Sequence, residues 1–588
     1  MIDLKARPFY LSDEDIEWVE STLKGMSLEE KIGQLFCPMG FSSDPNVLGH
    51  VVNDLHVGGM MYRTGGKQEI HDTYEAIQKM AKIPLLLAAN TEAGGNGLLA
   101  EGTTFGRPMA VAATNDPENA YKMGYTACAE GAAAGLNWSF APIVDIDREF
   151  HSPITNVRTF GNDVQRVIDM GKAYLRGAKD AGVATAVKHF PGDGCDERDQ
   201  HIVTSINSLS AAEWDETYGR IYREMIEEGT LTVMVGHIAQ PAKVKELNPA
   251  ATHKEMLYPA TLSKEILTGV LRNQLGFNGL ISTDATPMIG YLCAMKRSEA
   301  LPASIMAGCD MILFNKDLDE DYQFMMAAYK DGRLSEERLN EALTRILGAK
   351  AALKLHEKQA AGTLVPPSDG LDIVGCEKHR AWAKAVADES VTLVRDTQHL
   401  LPISPEKYPR VYLNVIQKST DVSDPLVQEW KALFEKEGFQ VTVRDRSTTI
   451  EPENFVGINM TPAKAQLFGE LYRPVGQFGA DKDLYVYIAN MDNASNNTTT
   501  RLNWNVVFGL GDDAPWFTEE FPVLFISVAN PYHLFDAPMM KTFINSYNSA
   551  PDFNQAVMDK ILGRSPFKGQ SPVDPFCGNE YIRWMNEE

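Results

Sequence analysis

Eight continuous apolar runs in the first 355 residues constrain the fold more than any other feature. The runs cover residues 34–39, 57–62, 84–89, 136–143, 184–190, 231–238, 279–284 and 310–314. Each run is apolar throughout rather than alternating, which is typical of parallel strands buried on both faces. Amphipathic stretches such as 163–181 and 211–228 separate the runs and have helical periodicity. Eight alternations of strand and helix predict a (β/α)8, TIM-like barrel over residues 1–355.

The remainder of the chain has a different organisation. A last barrel helix is predicted over 335–355, with Ser335 as its N-cap. Residues 356–378 contain two prolines and little periodicity and predict a linker. From 379 to 588, a helix at 426–437 lies among short apolar runs at 391–394, 411–415, 441–443, 484–489 and 523–528. This pattern predicts a smaller open α/β sandwich domain, and a polar loop at 491–501 lies within it.

Composition and charge exclude several classes of protein. Hydrophobic residues are 44% and charged residues 23%, as in ordinary soluble globular proteins. A net charge of −24 repels nucleic acid phosphates and anionic lipids, so neither nucleic acid nor membrane is expected as a partner. No run approaches 18 apolar residues, so no transmembrane helix is expected. The N-terminus carries two charges in its first five residues and no following apolar stretch, so no secretory signal is predicted.

The cysteines point to the compartment. There are seven, an odd number, they are scattered, and no C-x-x-C occurs. This argues against a disulfide framework and against a structural zinc site. Together with the missing signal, it predicts a cytoplasmic protein with no metal and no cofactor. The second domain has no G-x-G-x-x-G after its first strand, so it is interpreted as a lid or scaffold rather than a nucleotide-binding unit.

Polar and ionisable side chains follow the ends of five successive predicted strands, from the third to the seventh. They are Asn90, Glu92, Asp145, Arg158, Lys188, His189, His237 and Asp284, and the loop after the fifth strand adds Asp193, Asp199 and His201. Catalytic groups of an α/β barrel come from the carboxyl ends of its strands and from the following loops. Barrel rims are polar in general, but groups at five successive ends predict a site.

Two segments carry extended motifs: KHFPGDGCDERDQH at 188–201 and GLISTDATPM at 279–288. The first resembles K-H-F-P-G-H-G-x4-D-S-H and the second resembles G-V-I-F-S-D-D-L-S-M, two motifs of the family 3 glycoside hydrolases, specifically of their branch of bacterial β-N-acetylglucosaminidases. Further matching segments follow in the family's order: AAGLNWSFAPIVDID, VRTFGND, MVGHI, YPATLS, AGCDMILF, ESVTLVRDTQHLLP, PVLFISVANPYHL and GRSPFKGQSPVDPF. The resemblance covers nearly the whole chain.

The resemblance implies a retaining glycosidase with Asp284 as nucleophile. A carboxylate stabilises an oxocarbenium-like transition state and then bonds to the anomeric carbon. In this branch the acid/base is a histidine held by an aspartate two residues earlier, here His201 and Asp199. In an extended stretch these positions point to the same side, and the carboxylate favours the protonated imidazole. The alternatives are a helix cap for Asp284 and a loop-bracing ion pair for the dyad.

The resemblance also implies sugar-binding roles for Lys188, His189, Arg158 and His237. Charged donors to hydroxyl groups orient a sugar in a dry pocket. His237 is interpreted equally well as a satisfied core histidine. Glu92 and Asp145 are expected to support these side chains or to pair with Arg158 or Lys188.

Three positions depart from the family pattern. Asn90 stands where the family's D-Q-E-G-G motif has an aspartate that accepts from distal sugar hydroxyls, and an amide offers one acceptor and two donors instead. Asp193 replaces the histidine of P-G-H-G and adds negative charge beside the dyad. Ala285 replaces the second aspartate of the nucleophile motif, which matters less because the first aspartate is the nucleophile.

The leading prediction is a cytoplasmic exo-acting β-N-acetylhexosaminidase that releases a terminal N-acetylamino sugar from a small glycoside or glycan fragment. A β-glycoside phosphorylase or glucosidase-like activity of the same family is the alternative, since a neutral histidine base does not repel phosphate as a carboxylate does. Two other classes stay open. One is a metal-dependent barrel hydrolase that uses His189, Asp193, Asp199 and His201, and the other is a non-catalytic sugar-binding relative.

Overall fold

The computed structural model describes residues 2–446, 459–492, 495, 496, 498, 501, 502, 504 and 513–585. The chain divides into two compact units. The first unit contains residues 1–108, 116–383 and 494–498, and the second contains 109–115, 384–493 and 499–588. The polar loop predicted at 491–501 is therefore divided between them, and its residues 493, 494, 497, 499 and 500 lie outside the described residues.

Eight parallel strands form the sheet of the first unit. They are β1 (Phe36–Cys37), β2 (Gly59–Met61), β3 (Leu86–Ala89), β4 (Trp138–Ser139), β5 (Ala184–Phe190), β6 (Thr232–Val235), β7 (Leu280–Ala285) and β8 (Met311–Leu313). Consecutive strands pair from β2 to β8, and β8 pairs with β1. A parallel bridge between Met39 and Met61 follows β1 and β2, so the barrel is nearly closed. The predicted (β/α)8 barrel is confirmed, and every strand lies within or at the edge of one of the eight apolar runs.

Helices connect the barrel strands. The α-helices are Asp13–Gly25, Leu28–Gly33, Pro45–Gly49, Lys67–Met80, Pro117–Ala133, Val164–Asp180, Ala211–Glu216, Tyr218–Glu228, Pro241–Leu247, His253–Met256, Ile289–Leu292, Arg297–Ala307, Leu318–Lys330, Glu336–Ala352, Leu355–Ala361 and Glu377–Ser390. Shorter 3-10 turns occur at Gly95–Gly97, Asn156–Arg158, Ala260–Leu262 and Ser368–Ile373, and π-helical segments at His50–Asp54 and Glu265–Gln274. Ser205–Ile206 pairs in parallel with Ile238–Ala239 as a separate two-stranded sheet.

Helix boundaries differ from the sequence prediction in two places. The helix predicted over 211–228 is two helices, because the backbone of Thr217 leaves the helical region at φ −112° and ψ −92°. The last barrel helix ends at Ala352, and Ser335 caps it by accepting from the Arg338 amide as predicted. Within the segment predicted as a linker, Leu355–Ala361 and Ser368–Ile373 are helical.

Asp310 fixes the amino-terminal end of β7 and β8. The Arg272 Nη2 donates to its Oδ2 and the Arg338 Nη2 to its Oδ1, both at 2.7 Å, and the Arg345 Nη1 lies 3.4 Å from Oδ1. Burial alone would raise the pKa of Asp310, but the three guanidinium groups outweigh burial and lower it. The cluster attaches the helix Glu336–Ala352 to the two strands and leaves their carboxyl ends free for a site.

A six-stranded mixed sheet forms the second unit and confirms the predicted smaller α/β domain. Its strands are β9 (Thr392–Asp396), β10 (Arg410–Ile416), β11 (Gln440–Val443), β12 (Leu484–Ala489), β13 (Val523–Ser527) and β14 (Thr542–Asn545). The order is β9-β14-β13-β12-β10-β11, and only β9 is antiparallel to its neighbour. The sequence analysis missed β14, whose four residues include Thr542 and Asn545 and so give a short apolar signal.

The second unit's helices come before, between and after these strands in the chain. They are Pro108–Ala113, Pro425–Lys436, Pro462–Leu471, Val475–Phe478, Pro551–Ile561 and Glu580–Trp584, with a 3-10 turn at His533–Phe535. The aromatic core of this unit includes Tyr485, Phe517 and Phe525, all fully buried. Among the described residues, no helix has both the length and the apolar character that crossing a bilayer requires. All seven cysteines are free thiols.

Lys350 is a fully buried amine in the helix Glu336–Ala352. Its Nζ donates to the Gln34 Oε1 at 2.6 Å, and the described residues place no carboxylate in an ion pair with it. Burial lowers its pKa from 10.5 to about 7, since an ammonium loses its hydration there. A shift of this size corresponds to about 5 kcal/mol of unfolding free energy.

We expect Lys350→Met to be more stable than the native chain at pH 7, with an advantage that shrinks as the pH rises toward 10. In the folded state Lys350 loses its proton near pH 7, and in the unfolded state near 10.5. The native chain therefore gains stability across this interval and the variant does not. Loss of the bond to Gln34 offsets part of the gain, by about 1–3 kcal/mol.

Urea unfolding at pH 7, 8.5 and 10 measures this effect. Lys243→Met is the matched control, because Lys243 is equally buried but its Nζ lies 2.7 Å from the Asp215 Oδ2 and 2.8 Å from the Glu246 Oε2. The control variant should be less stable than the native chain at pH 7. A constant difference between Lys350→Met and the native chain across the three pH values would contradict the assignment of a buried neutral amine.

Candidate active site

A cavity of about 800 Å³ lies at the carboxyl ends of the barrel strands. Six of the ten predicted site residues line it: Asn90, Arg158, Lys188, His189, His201 and Asp284. The other four are Glu92, Asp145, Asp199 and His237, and each contacts one of the six or its neighbour from behind. The structure thus brings together groups that are up to 194 positions apart in the chain, between Asn90 and Asp284.

Asp284 lies near the end of β7 with its carboxylate toward the cavity. Its Oδ1 accepts from the Ala285 amide at 2.7 Å, and its Oδ2 lies 4.0 Å from the His189 Nε2. Burial alone would raise the pKa of Asp284, but His189, His237, His201 and the amide bond lower it below its ordinary value. Asp284 is therefore ionised at neutral pH, as a carboxylate nucleophile must be.

His189 follows Lys188 at the end of β5 and is oriented by Asp145. Its Nδ1 donates to the Asp145 Oδ2 at 2.7 Å, and its backbone amide donates to the Asp145 Oδ1 at 3.1 Å. The Nε2 is thereby left on the cavity side. Of the two alternatives expected for Asp145 from the sequence, its contact with His189 fits support of a predicted sugar-binding side chain rather than pairing with Arg158 or Lys188. The reason is the register, which brings the loop after β4 alongside β5.

Asp199 and His201 form the predicted dyad. The His201 Nδ1 donates to the Asp199 Oδ1 at 2.6 Å, and the His201 amide donates to the same oxygen at 2.8 Å. The Asn496 amide, which belongs to the first unit, donates to the Asp199 Oδ2 at 2.6 Å. Asp199 is fully buried, whereas 24% of the His201 side chain is exposed. The imidazole thus presents Nε2 to the cavity while its carboxylate partner is shielded.

Glu92 holds two cations at the side of the cavity formed by β3 to β5. The Arg158 Nη2 and the Lys188 Nζ both lie 2.8 Å from its Oε1, and the Arg158 Nε donates to its Oε2 at 3.0 Å. Burial would raise the pKa of Glu92, but the two cations hold it well below its ordinary value. The Lys188 Nζ also donates to the Asn90 Oδ1 at 3.1 Å. The Asn90 Oδ1 therefore accepts from Lys188, and the two N–H donors of its Nδ2 are directed to other partners.

His237 is fully buried behind Asp284 and does not line the cavity. Its Nε2 donates to the Ala285 carbonyl at 2.9 Å, and its Nδ1 lies 3.1 Å from the Thr261 hydroxyl. Burial lowers the pKa of His237. Of the two interpretations made from the sequence, these contacts fit the satisfied histidine, which supports the residue beside Asp284 rather than a sugar.

Sequence reasoning missed several cavity residues. The main ones are Phe41, Arg63, Ile289, Lys316 and Asn496. Arg63 comes two residues after β2, and Lys316 comes three residues after β8. Arg63 and Lys316 therefore follow predicted strand ends, as the groups after the third to seventh strands do, and that position is the signal in the sequence that indicates them. Asn496 lies in a polar loop far along the chain, and no local pattern connects it to the barrel.

The metal-dependent alternative requires His189, Asp193, Asp199 and His201 to form one ligand set. Among the described residues, the group whose ligand atoms lie close enough is a different one, Asp15 with His356 and Glu357. In the candidate site the His189 Nδ1 donates to Asp145 and the His201 Nδ1 donates to Asp199. Each Nδ1 is therefore used in a separate pair. This arrangement orients two imidazoles and does not form a ligand set.

The fold and the cavity define a (β/α)8-barrel protein whose polar site lies at the carboxyl ends of its strands. The sequence pattern described as the glycosyl hydrolase family 3 N-terminal domain matches residues 27–349. The chain belongs to glycosyl hydrolase family 3 and is a glycoside hydrolase that acts on carbohydrate substrates. The resemblance inferred from the motifs is thereby confirmed.

Curated proteins and solved structures are similar to this chain over different shares of its length. A protein of Cellulomonas fimi named beta-N-acetylglucosaminidase/beta-glucosidase is 41% identical over 98% of this chain and 99% of its own length. A beta-hexosaminidase of Vibrio cholerae is 33% identical over 42% of this chain and 70% of its own length. The solved structure of the beta-glucoside phosphorylase BglX is 43% identical, with a TM-score of 0.89 over 99% of both chains. The beta-N-acetylglucosaminidase from Paenibacillus, at 23% identity and a TM-score of 0.76, shares the fold.

Proposed function

We propose that the chain is a retaining exo-acting β-glycosidase that releases a terminal β-linked N-acetylglucosamine or glucose unit. Asp284 is the nucleophile, and His201 with Asp199 is the acid/base pair. One observation carries the proposal: an ionised carboxylate and a carboxylate-held imidazole both line a single cavity at the barrel's catalytic end. Hexosaminidase and glucosidase names among the relatives are consistent with a gluco-configured sugar.

The proposed reaction proceeds in two displacements. Asp284 attacks the anomeric carbon while His201 donates its Nε2 proton to the leaving oxygen, so the glycosidic bond breaks and a covalent glycosyl ester forms. His201, now neutral, then takes a proton from an incoming water as that water attacks the same carbon and releases Asp284. Two inversions restore the β configuration. Asp199 keeps the ring in one tautomer through both steps.

The terminal sugar is expected to lie against the side of the cavity formed by β3 to β5. Lys188 and Arg158 are fixed by Glu92 and present their remaining N–H groups to sugar hydroxyls. Asn90 adds amide donors where the family pattern has an acceptor, so hydroxyls of the distal part of the ring are bound as acceptors. This set provides orientation before the chemical step, which is what a precise attack at the anomeric carbon requires.

We expect a 2-deoxy-2-fluoro β-glycoside with a good leaving group to label Asp284 covalently. The fluorine destabilises the oxocarbenium-like transition state, so the ester accumulates when its formation is faster than its hydrolysis. Peptide mass mapping should find one sugar on the peptide that contains Asp284. Asp284→Asn should not be labelled. The control is Asp196→Asn, which removes a different carboxylate, in the loop after β5, and should still be labelled. A sugar on any other carboxylate would reject Asp284 as nucleophile.

We expect His201→Ala to slow glycosides with poor leaving groups by roughly 10²–10⁴-fold, which is the usual contribution of general acid catalysis. Glycosylation by a dinitrophenyl glycoside should change much less, because its leaving group departs without a proton. Asp199→Ala should show a milder form of the same pattern, since Asp199 orients the ring but transfers no proton. Kinetics on a series of aryl glycosides measures this. Equal losses across the series would instead identify the pair as a brace of the loop.

Phosphorolysis is a second candidate, and the charge of the cavity favours it. Arg63 and Lys316 line the cavity, and within the described part of the chain neither forms an ion pair with a carboxylate. With Arg158 and Lys188 they make four cationic lining residues against the single lining carboxylate of Asp284. In a chain of net charge −24, such a site concentrates anions locally. Phosphate would then replace water in the second displacement, and a neutral His201 would not repel it.

We expect phosphate to accelerate turnover of a nitrophenyl β-glycoside and to give the sugar 1-phosphate. Arg63→Ala and Lys316→Ala should each raise the KM for phosphate by roughly tenfold, since a charge-assisted hydrogen bond contributes about 1.5–3 kcal/mol. Phosphorus NMR of the products and initial rates against phosphate concentration measure both effects. Lys330→Ala, on the helix Leu318–Lys330 outside the cavity, is the control. If phosphate gives only free sugar, water is the acceptor and the second candidate fails while the first stands.

A further inference from the structure

Gln200, the residue between Asp199 and His201, has a buried side chain whose amide nitrogen and amide oxygen each form a hydrogen bond. Only 1% of the residue is exposed. We propose that Gln200 and Asp193 together form a positioning device that fixes the acid/base dyad relative to Asp284. The proposal rests on the proposed function of Asp284 and His201, and it assigns roles to two residues that contact neither the sugar nor the reacting atoms.

Asp193 is the first partner of Gln200. The Gln200 Nε2 donates to the Asp193 Oδ2 at 3.0 Å. The Asp193 Oδ1 accepts from the Gly194 amide at 2.9 Å and lies 3.3 Å from the Ser205 hydroxyl. Both carboxylate oxygens of Asp193 therefore act as acceptors, and the side of Gln200 that faces Asp193 must be a donor.

The turn around Asp193 leaves it little freedom. Gly192 and Gly194 flank it with φ of +116° and +96°, which L side chains rarely adopt. A Cβ on Gly192 would lie 2.1 Å from the Tyr218 ring, and one on Gly194 would lie 2.0 Å from the Ile146 carbonyl oxygen. The Asp193 amide also donates to the Asp145 Oδ1 at 2.8 Å. Asp193 is thus a rigid point attached to the carboxylate that orients His189.

The oxygen of the Gln200 amide contacts His237, which in turn contacts the residue next to Asp284. The Gln200 Oε1 accepts from the His237 amide at 2.7 Å. The His237 ring in turn donates to the Ala285 carbonyl, adjacent to Asp284, at 2.9 Å. Gln200 therefore connects the dyad's loop to two structures that both lie beside Asp284: the Asp145–His189 pair through Asp193, and Ala285 through His237. The distance between a nucleophile and an acid/base group decides whether both reach one anomeric carbon.

Gln200 and Asp193 are also complementary, since an amide donor of the first faces a carboxylate acceptor of the second. Burial and the neighbouring Asp145 raise the pKa of Asp193 to about 6, and the Gln200 donor is one of the groups that face this carboxylate. They occupy the two positions at which the loop departs from the family pattern, where histidine precedes the second glycine and serine precedes the catalytic histidine. The hydrogen bond from the Gln200 Nε2 to the Asp193 Oδ2 joins these two positions directly.

A charge-swap cycle tests the proposal. In Gln200→Glu, a carboxylate faces the Asp193 carboxylate; in Asp193→Asn, an amide donor faces the Gln200 donor. The double variant restores every bond. Its new amide at position 193 donates to one oxygen of the new carboxylate at position 200, the His237 amide donates to the other oxygen, and the amide oxygen at position 193 still accepts from Gly194. The readout is kcat/KM on aryl glycosides of graded leaving-group ability, and interaction in the cycle reports the pair directly.

We expect each single variant to lose at least tenfold more activity on poor leaving groups than on a dinitrophenyl glycoside, and the double variant to recover most of that loss. Gln240→Ala is the matched control. Gln240 is equally buried and donates and accepts once each, to the Leu209 carbonyl and from the Lys243 amide, but neither partner belongs to the dyad's loop or to the residues beside Asp284. It should lower stability without changing the dependence on the leaving group.

The outcomes distinguish a failure of the proposed function from a failure of the positioning proposal. If His201→Ala shows no leaving-group effect, the proposed function fails before the positioning device is tested. If His201→Ala shows the effect but the single variants slow all substrates alike, as Gln240→Ala would, the positioning proposal is overturned. A single variant that does not fold is replaced by Gln200→Met, which keeps the side-chain volume and removes both hydrogen bonds. A double variant with additive losses also overturns the proposal.

Discussion

The ionisable side chains predicted for the candidate site are held by neighbouring side chains and backbone amides, because the barrel beneath them is apolar. The interior of the eight-stranded sheet is filled by apolar residues, so a charge at a strand end is solvated only by other side chains and by backbone amides. Glu92 is held by Arg158 and Lys188, and Asp199 by three N–H groups. Such pairing holds each group at one place, which a site must do before it can catalyse. The two cations also hold the pKa of Glu92 well below its ordinary value.

The two histidines of the cavity show how burial separates similar groups into different roles. His189 and His201 each donate from Nδ1 to an aspartate and present Nε2 to the cavity. His189 is 9% exposed and lies 4.0 Å from the Asp284 Oδ2, and its ring lowers the pKa of that carboxyl group. His201 is 24% exposed. The more open ring is the one that can meet a leaving group and later an incoming acceptor.

Much of this arrangement follows from local sequence, and some of it does not. The barrel was predictable because each buried parallel strand is a continuous apolar run. The dyad was predictable because the segment 188–201 resembles a family motif in which an aspartate stands two residues before the histidine. The pairing of Asp145 with His189 was not predictable, since it depends on the register between the loop after β4 and β5. The contact of Asn496 with Asp199 joins positions 297 residues apart, and no periodicity reports a contact of that kind.

The cavity is divided by chemistry, and the division favours one direction of substrate entry. The strands β3 to β5 supply Asn90, Arg158, Lys188 and His189, whose partners are fixed, whereas the segments after β1, β2 and β8 supply Phe41, Arg63 and Lys316, all exposed. A sugar needs fixed polar groups to choose among its hydroxyls, so it belongs on the first side. The leaving group and the acceptor differ from turnover to turnover, and an exposed, cationic and partly apolar side admits both. Asp284, on β7, lies between these two groups of strands in the order of the sheet, so under the proposed function the bond to be broken falls between the two sides.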